Sequence, residues 1–259
     1  HNALDTNENN WIDEGAADMA AFLCFGGSST LYGHVNAWSQ RSSDSVRWWD
    51  QSEDTADYGG GFIFMLYLAD HLGGGAAIRN LASDTSTGSR GVENLGLNPI
   101  GVPSGYIGDD FNSMWKNFSV AATLDVDQSI YGMSNLDLTP VCSSNSFCRV
   151  QPADTNSDWS SNSWTSTDHE TEGWGLRVFK LEPSATSAAP LTLRLTGSVE
   201  GFQGLTVARS SIDGQYTVND ISFSNGIGTG MVSDFGGDVD EVHVITWLDV
   251  ENFGDCNYK

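Results

Sequence analysis

The chain has 259 residues, 34 of them acidic and 11 basic, for a formal net charge of −23. That length fits about one or two domains, and 39% apolar residues are enough for a packed core, which excludes global disorder. A field of this sign repels a nucleic-acid backbone and an anionic membrane surface, and no apolar run reaches the roughly 18–20 residues that span a bilayer, so neither nucleic acid nor a membrane span is expected.

The first half reads as helical. Trp11, Ala16, Met19, Ala20, Phe22 and Leu23 fall on one face between Asn10 and Phe25, and Gly26-Gly27 stops that helix. A second helix is predicted from about Tyr58 to Leu72, with Phe62, Phe64, Met65, Tyr67 and Leu68 as core candidates and Gly73-Gly74-Gly75 as its end. A short helix follows near Ala76–Ser83. A fourth, near Asp109–Leu124, carries Phe111, Met114, Trp115, Phe118 and Val120 at core spacing. From Thr139 to Trp164 the chain turns rich in Ser, Asn, Asp and Thr and reads as a polar connection. Beyond it the period becomes two. Leu176–Leu181, Leu191–Leu195, Leu205–Val207, Tyr216–Val218, Ile221–Phe223 and Val242–Trp247 alternate as half-buried strands. The expected fold is α+β: a helical subdomain over 1–138, a linker over 139–164, and an antiparallel, jelly-roll-like β-sandwich over 165–259.

Four cysteines allow three pairings. Cys142 and Cys148 flank a short polar segment that a disulfide can close, the usage of secreted proteins. Cys24 and Cys256 are then left to pair, unless Cys24 is an ordinary buried helix thiol. The absence of C-x-x-C disfavours a cysteine zinc site and c-type haem. The acidic excess reads as solubility, as adaptation to high salt, or as calcium binding. For calcium the best cluster is Asp234, Asp238, Asp240 and Glu241, which lacks EF-hand spacing. Of the histidines, His71 sits near a helix C-terminus, His243 in a strand with a face to solvent, and His34 and His169 in polar loops.

One stretch carries specific chemistry. Glu14 and Asp18 are four apart and share a helical face. A carboxylate at the first position can ligate a metal, and one at the second can hold a metal-bound histidine through its other ring nitrogen. Taken alone, the pair also fits a solvated acidic helix start that complements the helix dipole.

The surrounding residues extend this pattern. His1 to Asp18, with its Trp11-Ile-Asp-Glu14-Gly-Ala-Ala-Asp18 core, resembles the stretch just after the zinc helix in secreted bacterial and archaeal metallopeptidases of gluzincin type, the relatives of hyicolysin and the immune inhibitor A-like enzymes. Tyr58 to Gly73, Asp110 to Trp115 and Tyr131-Gly132 resemble the helices that follow in that family, and the late β-region resembles its accompanying sandwich. The resemblance implies Glu14 as third zinc ligand, Asp18 as the carboxylate behind a ligating histidine, and Tyr58 as an oxyanion stabiliser. Tyr58 reads equally as an aromatic packing on Trp11. Zinc so held, with two histidines and an open water position, serves peptide hydrolysis.

The chain departs from the pattern in one large respect: H-E-x-x-H is absent. One alignment puts His1 in the loop after the zinc helix, so that the first two ligands and the general base lie upstream. A second makes His1 itself a ligand, with twelve residues between it and Glu14. Either way this chain alone is expected to be inactive, and zinc binding requires the missing histidines. The leading reading is the C-terminal portion of a secreted zinc metalloendopeptidase-like protein, extracellular or at the cell surface, acting on polypeptides or joined to its own N-terminal portion. The alternatives are a self-assembling surface-layer or filament subunit, and a carbohydrate-binding sandwich that stacks sugars on Trp159, Trp164, Trp174 and Trp247.

Overall fold

In the computed structural model, residues 8–49, 54–100, 105–126, 129–133, 149–159, 165–166, 169–184, 188–197 and 200–250 are described. They form two units, His1–Gln151 and Pro152–Lys259. The chain is a mixed α+β protein, with six α-helices and eight strands among the described residues.

The first unit is built around one helix. Helix α3, Asp54–Leu72, is buried on all sides from Gly59 onward, as a helix without a polar face must be. Helix α1, Asn10–Phe25, lays Trp11, Ile12, Gly15, Ala16 and Met19 against the core and ends at Gly26, whose φ of 74° lets its N–H reach the Phe22 carbonyl at 2.8 Å. The expected face of this helix is right at Trp11, Ala16 and Met19, but Ala20 and Leu23 are exposed. Helix α2, Ser29–Gln40, is one the reading of the sequence passed over. The Ser28 hydroxyl caps it by accepting from the Leu31 N–H at 3.2 Å, and Leu31, Val35 and Trp38 bury at i, i+4, i+7 spacing.

Helices α4, Gly75–Ser83, α5, Ser89–Leu97, and α6, Phe111–Leu124, complete the unit; α5 too was unexpected. Asp110 caps α6 by accepting from the Ser113 N–H at 2.9 Å. The aromatic core is the one anticipated. Phe64 meets Phe118 at 5.0 Å and Trp115 at 5.6 Å between centroids, and Trp11 meets Phe111 at 5.8 Å. His71 lies in the last turn of α3, near the helix C-terminus as expected, and is buried. Its Nε2–H donates to the Gly132 carbonyl at 2.9 Å, while the Tyr67 hydroxyl donates to that of Ile130 at 3.0 Å.

Three consecutive glycines let these helices cross closely. A Cβ on Gly59 would lie 2.1 Å from the His34 carbonyl oxygen, and one on Gly60 would lie 2.8 Å from the Trp38 ring. Glycine inside a helix costs about 1 kcal/mol against alanine. Here it brings α2 against α3 at backbone contact.

The second unit is one mixed eight-stranded sheet. Strand β1 is Asp154–Trp159, β2 Leu176–Pro183, β3 Ala189–Thr196, β4 Phe202–Ser210, β5 Tyr216–Asp220, β6 Ser222–Ser224, β7 Ile227–Phe235 and β8 Val239–Leu248. Pairing runs β1-β2-β8-β4-β5, while β7 pairs with β3 and β6 and touches β8 at Phe235–Val239. Two expectations change. Strand β1 lies inside the segment read as a linker, and it runs parallel to β2, so the sheet is not purely antiparallel. Strand β7 escaped notice because Gly228 and Gly230 interrupt its alternation. A Cβ at Gly228 would lie 2.5 Å from the Phe223 ring. Leu181, Leu191, Leu193, Ala208, Ile221, Val232, Phe235, Val242 and Val244 form one buried apolar cluster drawn from β2, β3, β4, β7 and β8 and from the residue before β6.

Candidate functional site

Helices α1, α2 and α3 bring together Asp18, His34 and Tyr58. Asp18 Oδ2 and His34 Nδ1 are 3.0 Å apart, with side chains 25% and 18% exposed. A carboxylate oxygen can only accept, so Nδ1 carries the proton. The imidazole stacks on the Tyr58 ring at 5.0 Å and 28° between planes, and Trp49 meets Tyr58 edge-on at 4.7 Å. The Gly59 crossing fixes the height of His34 over α3. The resemblance makes Asp18 the partner of a metal-bound histidine; in the structure it is engaged by His34 of α2.

Glu14 lies one helical turn before Asp18 on the same flank of α1 and is half-buried. Among the described residues no hydrogen-bond or ion-pair partner of Glu14 is found, so its carboxylate remains available. Sequence reasoning missed His34 and Trp49. The Ser28 cap followed by Leu31, Val35 and Trp38 was the signal that puts His34 on a helix rather than in a loop. His1 lies outside the described residues.

The calcium candidates do not converge. Asp238 uses its carbonyl to accept from the Ser211 N–H at 2.9 Å, and the Asp234 carbonyl accepts from the Gly237 N–H at 2.8 Å. Asp240 faces Arg209 at 3.5 Å. Glu241 is engaged by His243 Nε2 at 3.0 Å and Lys180 Nζ at 2.8 Å. The His243 hydrogen bond first, and then that of Lys180, hold the Glu241 carboxyl at about 2 against the opposing effect of burial. His243 is buried in this network, not turned to solvent. Among the described residues no group of three or more His, Cys, Asp or Glu side chains is placed to hold a metal ion.

In the second unit Ser166 Oγ donates to Asp154 Oδ2 at 3.0 Å and lies 2.7 Å from His169 Nε2. These are the residue types of a nucleophilic triad in the wrong order. The hydroxyl proton is given to the carboxylate, so the imidazole donates to the serine and does not activate it.

Trp174 and Trp247 are core residues, at 2% and 3% exposure. The Trp174 indole N–H donates to the Val250 carbonyl at 3.0 Å. Neither offers a ring face for sugar stacking. The side chains of Trp159 and Trp164, and Cys142, Cys148 and Cys256, lie outside the described residues. Cys24 is an exposed thiol, not a buried one. No single helix among the described residues is long and apolar enough to cross a membrane. No protein-family model matches the chain, and none of the curated proteins matches it.

Proposed function

We propose that this chain is the downstream part of a secreted, extracellular zinc metalloendopeptidase-like protein. In this reading Glu14 supplies one zinc ligand, Asp18 orients a ligating histidine, and a stretch outside these 259 residues supplies the H-E-x-x-H histidines and the general base. The observation that carries it is the Asp18–His34 hydrogen bond, 3.0 Å long, with Glu14 one turn earlier on the same half-buried flank. It supports the reading because Asp18 has the acceptor geometry that a carboxylate behind a metal-bound imidazole needs.

The donor set fits one part of a zinc site. Glu14 is an available carboxylate oxygen donor, of the kind that completes two histidines in catalytic zinc centres. Zinc bound there would polarise a peptide carbonyl and sharpen a water as nucleophile. In this reading Tyr58, whose ring packs against His34 and Trp49, is the residue whose phenol would donate to developing charge. The first unit then corresponds to a metallopeptidase-like helical subdomain. The second corresponds to a sandwich folded over its apolar cluster, for which the joint burial of residues from β2, β8, β3 and β7 is the support.

The test is zinc stoichiometry and peptide hydrolysis in the full-length protein against its Glu14→Gln variant. The reading expects loss of both. An upstream sequence without H-E-x-x-H, or unchanged zinc content in Glu14→Gln, rejects it.

A further inference from the structure

The turns at one end of the second unit border a cavity of about 570 Å³, within the size range of small-molecule sites. Two rings line it, Phe202 at the start of β4 and Phe223 of β6, with centroids 5.1 Å apart and planes at 85°. Glu200, Gln203 and Asn225 supply its polar side chains. Glycines hold the wall in shape. The Gly197 N–H donates to the Gly226 carbonyl at 2.8 Å, which ties the turn after β3 to the β6–β7 hairpin, and Gly226 has a φ of 72°. A Cβ on Gly197 would lie 2.6 Å from the Phe202 ring, so that ring rests directly on backbone. The Phe223 ring rests on Gly228 in the same way, and both rings are only half-buried. We propose that this cavity binds a neutral mono- or disaccharide, with Phe202 and Phe223 against its apolar C–H face and Glu200, Gln203 and Asn225 on its hydroxyls.

The lining selects this chemistry by what it offers and what it lacks. A pyranose ring has a flat apolar face and a rim of hydroxyls, which aromatic surface beside planar amide and carboxylate groups can meet together. Among the described residues no Lys, Arg or His lines the cavity, and the chain carries a net charge of −23, so an anion finds no partner there. A calcium ion takes roughly six to eight oxygen ligands, which one exposed carboxylate beside two hydrocarbon rings does not assemble. An ammonium group would use the rings and Glu200 but leave both amides idle. The site stands apart from the zinc reading, whose residues lie in the first unit.

The experiment titrates the full-length protein with cellobiose, maltose, lactose and N,N′-diacetylchitobiose, and separately with tetramethylammonium. Binding is read by ligand-observed NMR at low and high salt. Wild type, Glu200→Ala and Phe202→Leu are compared, with thermal unfolding as the check on folding. Expected is millimolar or tighter binding of at least one disaccharide, unchanged by salt and roughly tenfold weaker in each variant, the size of one lost charge-assisted hydrogen bond or stacking contact. Glu200 is exposed in a turn, so its variant keeps the fold and decides alone if Phe202→Leu does not. No binding of any of the four disaccharides overturns the inference. Binding that neither variant weakens overturns it too, since the sugar then sits elsewhere. So does salt-sensitive binding of tetramethylammonium alone, which makes this a cation site.

Discussion

A Cβ placed on Gly15 of α1 would lie 2.8 Å from the carbonyl oxygen of Gly61 on α3. The two helices therefore cross at backbone contact, and this crossing sets where Glu14 and Asp18 stand relative to α3. The contact is with a carbonyl in mid-helix, which cannot turn aside as a flexible side chain would. Gly15→Ala is expected to destabilise by about 2 kcal/mol despite the better helix propensity of alanine, a Tm drop of roughly 4–8 °C. Gly33→Ala, in α2 with open space around it, is expected to be neutral or to stabilise by up to about 1 kcal/mol. Thermal unfolding of the two variants side by side checks the pair; equal effects would contradict the crossing.

Glu241 governs the acid limb of the second unit. Its folded pKa of about 2 lies below the ordinary 4.5, because His243 and then Lys180 donate to its carboxylate. A depressed carboxylate contributes stability fully above about pH 4.5 and loses it as pH falls toward 2. The contribution is on the order of 2 kcal/mol after allowance for partial exposure. Lys180 titrates in the opposite sense: burial opposes its charge, but the hydrogen bonds it donates to Glu241 and Glu182 raise its pKa, so its contribution is lost only as pH rises past that raised value. Glu241→Gln should be less stable at pH 7 and should show a flatter loss between pH 4.5 and 2. Urea titrations across that window measure the slope, and a slope unchanged from wild type would disprove the coupling.

His71 acts on the first unit at milder pH. Burial lowers its pKa, and the hydrogen bond to the Gly132 carbonyl and the charge of Asp70 oppose that shift without cancelling it. A base whose folded pKa is lowered contributes stability above its unfolded value near 6.5 and loses it as pH falls through the folded pKa. Acidification from pH 7 to 5 should therefore loosen the first unit before the Glu241 network in the second is touched. His71→Gln keeps an N–H for Gly132 and should remove that slope at some cost in stability at pH 7. Hydrogen exchange of α3 amides at pH 7 and pH 5 reports it.

Cys24 sits exposed on the last turn of α1. The native protein should label there with a maleimide at the rate of an open thiol, and peptide mapping should recover the adduct. Protection of Cys24 until reductant is added would instead restore its pairing with Cys256.

The residue pattern by itself determined the two-part α+β organisation, since hydrophobic periodicity near 3.6 and then 2 is written locally in the chain. The aromatic core of Phe64, Phe111, Trp115 and Phe118 and six of the strands were legible for the same reason. Helix α2 and strand β7 were not, because their apolar positions are sparse and glycines dilute the period, and the partners that bury them, α3 in one case and β3 in the other, are not written in the segments themselves. Strand β1 hid in polar residues because a parallel edge strand takes its hydrogen bonds from β2 and needs little apolar surface of its own. In the site, the sequence determined that Glu14 and Asp18 share a helical face. Only the tertiary structure decided that His34 and Tyr58 join them, because that juxtaposition depends on two close helix crossings. Gly15, Gly59 and Gly61 permit those crossings, and a missing side chain says nothing about which backbone it admits until both helices are in place.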